Sequence, residues 1–75
     1  MAIDARLREA LIAQARQVAD ERGWTWREPV EVIEGAHGTE AVWVVRTNAL
    51  MRSPSVRIEL RRSDRTLVHA GYLAR

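Results

Sequence analysis

Two hydrophobic periods meet at Gly23. Before it, Ile3, Leu7, Leu11 and Val18 recur at helical spacing. After it, apolar and polar positions alternate, most clearly in Val56-Arg57-Ile58-Glu59-Leu60-Arg61. That switch predicts an α+β fold, with one N-terminal helix packed on a three- to four-stranded antiparallel β-meander. Residues 1–75 form a single small domain in this reading. One short helix covers one face of such a sheet, so the other face needs its own explanation.

The spacing predicts a helix over residues 5–22, with Asp4 as its N-cap and Leu7, Leu11, Ala15 and Val18 as its buried stripe. Ile3 and Ala10 border the stripe, while Arg16 and Asp20 sit i, i+4 on the solvated side. Gly23 falls where a helix ends in a left-handed residue, which makes Trp24 a lid over the last turn. Ligand stacking is the second reading for Trp24. Pro29 places the first strand at an edge, running from Val30 to Glu34, with Gly35 to Thr39 as a turn and His37 on its surface. Ala41 to Thr47 is apolar on both of its faces, as a central strand should be. Asn48 to Pro54 connects it, with Met51 exposed, to an alternating strand over Ser55–Arg61. A polar turn at Arg62 to Arg65 then leads into a fourth strand over Thr66–Leu73, weakened near Gly71.

Composition narrows the function classes. The chain has 75 residues and no cysteine, so it has one core and neither disulfides nor thiolate metal sites. All 12 basic residues are arginine, each a planar fork suited to carboxylate or phosphate. Residues 1–45 hold five Arg against eight Asp or Glu (−3), and residues 46–75 hold seven Arg against two acids (+5). A basic half beside an acidic half can steer a charged partner or complement itself. Met1 to Arg6 lacks the apolar run of a signal peptide, and no stretch reaches the ~20 apolar residues of a membrane span, so a cytoplasmic protein without membrane partners is expected.

No catalytic constellation stands out, and a non-enzyme is expected. The Ser and Thr hydroxyls show no nucleophile motif. His37 and His69 lie 32 residues apart without Cys, which gives no zinc spacing. Gly35-Ala36-His37-Gly38 is too short for a phosphate loop and joins two strands. Glu28, Glu31 and Glu34 share a segment, but alternation separates Glu31 from the other two, as on a solvated edge strand. His69 reads as a satisfied sheet histidine or as a pH-sensitive contact. No metal and no small-molecule cofactor are expected.

The sheet surface holds the candidate chemistry. Arg57 and Arg61 share a strand face, Arg46 belongs to the neighbouring strand, and Arg62 and Arg65 sit in the adjoining turn. Such a surface suits phosphate or single-stranded nucleic acid, although Glu59 between Arg57 and Arg61 offers internal pairing. On the central strand, either Val42 and Val44 or Trp43 must face away from the helix. Apolar area rimmed by arginine is the pattern of a protein contact. A curled sheet or a terminus that covers this face is the opposing reading. The binding residues expected are Val42, Trp43 and Val44 as apolar anchors, with Arg46, Arg57 and Arg61 as the charged rim.

The closing segment, Val56 to Leu60 followed by Arg65-Thr66-Leu67-Val68-His69-Ala70-Gly71-Tyr72, resembles the last hairpin of PepSY-type domains. The order of helix, Gly, strand and Trp-bearing strand Ala41-Val42-Trp43-Val44-Val45 is similar too, as is that of small bacterial immunity proteins with one helix on a curved sheet. Ser63-Asp64-Arg65 stands where PepSY domains place a turn glycine. The resemblance implies a non-catalytic binding or inhibitory module and carries over no site residue. Protein binding through the helix-free face, to a partner or to a second copy, is the function expected. An arginine-lined nucleic-acid binder is the alternative.

Overall fold

The computed structural model describes residues 3–51 and 53–74. Met1, Ala2, Arg52 in the second connection, and Arg75 lie outside the described residues. Helix α1 spans Ala5–Glu21, and strands β1 to β4 span Glu31–His37, Glu40–Arg46, Ser55–Arg61 and Leu67–Leu73. All neighbouring strands pair antiparallel in the order β1-β2-β3-β4, so the helix-plus-meander expected from the two periods is the fold observed. Among the described residues, no helix is long and apolar enough to cross a membrane.

Both ends of α1 are capped by their own sequence. The Asp4 carboxylate accepts the N–H of Arg6 at 2.7 Å and that of Leu7 at 3.4 Å. At the other end the Gly23 N–H donates to the Asp20 carbonyl (3.2 Å) and the Trp24 N–H to the Ala19 carbonyl (2.9 Å), with Gly23 at φ +70°. These are the two bonds of a Schellman turn. A Cβ on Gly23 would meet nothing within 4 Å, so the left-handed backbone alone sets the cost of a side chain there. Gly23→Ala is expected to lose about 1 kcal/mol of stability, read from a urea midpoint at unchanged m-value.

Leu11, Ala15 and Ala19 are the fully buried residues of α1, and they pack on Val45 of β2 and on Val56, Ile58 and Leu60 of β3. The stripe is turned slightly from the one expected, with Ala19 at its centre and Val18 at its flank. Trp24 is the lid inferred from the sequence: its ring stacks on Tyr72 at 5.5 Å between centroids and 8° between planes.

Strand β1 differs from the expectation. It runs through Gly35 and Ala36 to His37, leaving only Gly38 and Thr39 as a two-residue hairpin turn. Gly38 has φ +62°, the conformation a tight hairpin requires at its first turn position. Gly35 is a packing glycine, because a Cβ there would stand 3.0 Å from Val44 Cγ2. Near the start of β4, Glu59 pairs with His69 but Leu60 with Leu67, so Val68 is an extra, bulged residue.

Candidate protein-contact site

Trp43 and Val45 join the core beneath α1, so alternation along β2 sends Val42, Val44 and Arg46 to the helix-free face. On β3 the buried Val56, Ile58 and Leu60 point to the helix, which leaves Arg57, Glu59 and Arg61 opposite. The structure thus gathers five of the six expected binding residues on one face. It separates Trp43, which lies on the helix side with the Arg62 guanidinium 4.7 Å from its ring centre.

That face is strongly concave. Adjacent strands lie about 4.8 Å apart, so β1 and β4 in a flat sheet would stand roughly 14 Å from each other. Yet His37 of β1 and His69 of β4 have ring centroids only 5.6 Å apart, stacked at 20°. His37 Nδ1 also lies 3.2 Å from Glu59 Oε1 on β3. Side chains from β1 reach β3 and β4 only by passing over β2, whose residues there are Val42 and Val44. Both are covered, at 0% and 1% exposure. Val42, Val44 and Trp43 therefore do not form an exposed apolar anchor: the curl of the sheet buries the first pair, and Trp43 faces the helix. His37 is correspondingly the last residue of β1 and not part of the turn, although its side chain stays about half-exposed at the surface.

The charges on this face are largely spent within the chain. Glu59, 5% exposed, accepts from Arg57 Nε at 2.9 Å as well as lying beside His37. Burial acts to raise its carboxyl pKa, but the hydrogen bonds and charges of Arg57 and His37 outweigh that and hold it below the ordinary carboxylate value. Arg46 pairs with Glu31 and Arg61 with Glu40 (3.0 Å) and Asp64 (3.3 Å), while on the helix side Arg62 pairs with Glu34 (2.7 Å). Arg46 and Arg57 stand directly opposite in register, and each is drawn aside by its own carboxylate. A phosphate arriving here would have to displace an existing ion pair at each of the three expected rim arginines.

What stays open lies toward β4. A hollow of about 330 Å³, mainly on the helix-free face, runs from Arg46 and Arg57 past Ser55 to the 71–73 stretch of β4 and His69. It adjoins a second one that adds Met51. Among the described residues no carboxylate lines either hollow. Met51 and Leu73 are 67% and 55% exposed, and Arg46 Nε is buried without an acceptor among the described residues. A further hollow of about 640 Å³ lies on the helix side, between Leu7, Trp43 and the turn from Arg62 to Arg65.

The two sheet edges differ. β1 carries Glu31 and Glu34 and follows Pro29, the usual guards against strand addition. Residues 66–74, containing β4, hold no Asp, Glu, Lys, Arg or Pro. Among the described residues, β4 has β3 as its one strand neighbour, which leaves its outer side an edge of the sheet. Met51 is exposed as the sequence predicts, whereas the exposed Leu73 and the bare edge go beyond that expectation. The signal was available, since β1, β2 and β3 each carry at least two charged residues and β4 carries none.

Comparison with protein-family models, with curated proteins and with solved structures returned no match.

Proposed function

We propose that this chain is a non-catalytic protein-binding module that takes an extended segment of a protein partner onto the outer edge of β4. The observation that supports this reading is the contrast between the guarded β1 edge and the uncharged β4 edge. In strand addition the main chain supplies affinity, and alternate side chains of the added segment supply specificity. Those on the concave side would meet Arg46, Arg57 and Leu73 in a lining without carboxylates, so acidic and apolar side chains suit them. An acidic side chain here shares Arg46 and Arg57 with Glu31 and Glu59, and the main chain carries most of the affinity.

An NMR titration of the ¹⁵N-labelled chain tests it with three probes: a peptide of alternating Val and Glu, its Val/Lys twin, and oligothymidylate. The Val/Glu peptide is expected to shift the amides of Ala70 and Tyr72 and the twin to leave them in place. Arg57→Ala should weaken that binding roughly tenfold, a loss of about 1.4 kcal/mol. Salt-sensitive oligothymidylate binding without any peptide effect would instead assign the arginines to nucleic acid. Silence from all three probes in a chain that sediments as a monomer would remove the strand-addition reading.

A further inference from the structure

We infer that the occupant of the β4 edge is a second copy of this chain, paired antiparallel, β4 against β4, about a twofold axis at Gly71. This deepens the strand-addition reading above and rests on it. It begins with which backbone groups of β4 are free. The Thr47 N–H donates to the Val56 carbonyl, so on β3 the main chains of Val56, Ile58 and Leu60 face β2. Those of Ser55, Arg57 and Glu59 then face β4, where their register partners are Leu73, Gly71 and His69. By alternation, Ala70 and Tyr72 turn their N–H and C=O groups outward, to the open edge.

A twofold axis at Gly71 uses all of these groups. It sets Ala70 opposite Tyr72 of the second copy, and the reverse, as two hydrogen-bonded pairs with four bonds in all. The bulged Val68 is not called upon. Gly71 meets its own copy at the non-hydrogen-bonded position, where main chains approach most closely and a missing side chain is an advantage. On the concave side, His69 lies beside Leu73 of the second copy, which covers an apolar side chain that is 55% exposed in the single chain. On the helix side, Ala70 leaves room beside Tyr72 of the other copy and the Trp24 ring stacked on it.

Charge and symmetry point to the same occupant. An isologous contact must complement itself, and residues 66–74 bring no like charges together because they contain none. The β1 edge, with Glu31, Glu34 and Pro29, resists the same pairing. The assembly therefore closes at two copies, as one antiparallel sheet of twice four strands, within the range of up to ~10 strands that open sheets tolerate. A 75-residue chain without cysteine, whose own core is small, also gains the most from a shared sheet.

Sedimentation equilibrium reads the outcome directly. The wild-type chain is expected at twice 8.6 kDa. Ala70→Pro removes an outward N–H and no bond of the β3–β4 ladder, and it should sediment at 8.6 kDa with an unchanged far-UV circular dichroism spectrum. Should that proline unfold the chain, His69→Lys serves instead, because it places a charge beside Leu73 of the second copy and should weaken dimerisation at least roughly tenfold. Ala36→Lys on β1 should leave the dimer intact. With no native cysteine present, Gly71→Cys should crosslink on mild oxidation and Thr39→Cys in the hairpin turn should not. A wild-type mass of 8.6 kDa at concentrations up to about 1 mM would overturn the dimer. So would a dimer indifferent to both β4 variants. A monomer that still binds the Val/Glu peptide through Ala70 and Tyr72 would overturn the dimer and leave strand addition standing.

Discussion

Gly35→Val is expected to destabilise the fold by about 2 kcal/mol, although valine is the better strand former by up to about 1 kcal/mol. Strand propensity and packing make opposite predictions here, which gives the sign of the effect its value. Gly35 lies in β1 directly opposite Val42, and a Cβ added to it would stand 3.0 Å from Val44 Cγ2 and 3.9 Å from Val42 Cγ2. Val44 is 1% exposed, so it can give way only by displacing its own neighbours, and the added side chain presses the backbone of β1 outward. Retreat flattens the sheet and draws His37 away from Glu59 and His69. The check is a urea midpoint together with the double variant Gly35→Val/Val44→Ala. Shortening Val44 removes the clash, so the pair should fall short of additivity by about 1 kcal/mol or more. A Gly35→Val chain more stable than wild type would mean that this close approach does not hold the curl.

The same glycine marks the boundary of what the sequence made legible. The helix, its two caps and the alternating β3 follow from contacts within a few residues, and local spacing predicts them. Asp4, Gly23 and Trp24 each occupy the place their chemistry suggests. Gly35 reads as a turn residue because it sits near a second glycine and a histidine, yet it is a point of close approach between strands. Nothing local separates the two roles. The distinction depends on Val44, nine positions on, and on a curl that brings β1 over β2 to β3 and β4. For the same reason the site was half legible. Arg46, Arg57 and Arg61 do share a face, but periodicity names the face of Val42 and Val44 without showing whether that face is covered. The bare edge of β4 needed no contact information at all, only the order of the strands.

Glu59→Ala is expected to cost about 2 kcal/mol, in the range for a lost charge-assisted hydrogen bond at a buried acceptor. Glu59 is the buried carboxylate on the concave face, at 5% exposure, and it holds both Arg57 and His37 above the β2 valines. Arg57 and His37 are about half-exposed and regain water once Glu59 is removed, which keeps the loss below that of an orphaned deep charge. The pH dependence separates the charge from the space it fills. Burial favours the neutral carboxyl, but Arg57 and His37 outweigh it, so the folded-state pKa lies below the ordinary 4.5. A depressed carboxylate stabilises the fold fully above its unfolded value and loses that contribution as pH falls through the folded one. Wild-type stability should therefore decline below about pH 4.5, while Glu59→Gln, similar in size but unable to titrate, should show a smaller decline. Urea midpoints for both chains between neutral and acid pH decide the matter. Parallel curves would show that Glu59 serves as a neutral spacer over Val42 and Val44, and the ion pair with Arg57 would then have no part in closing the concave face.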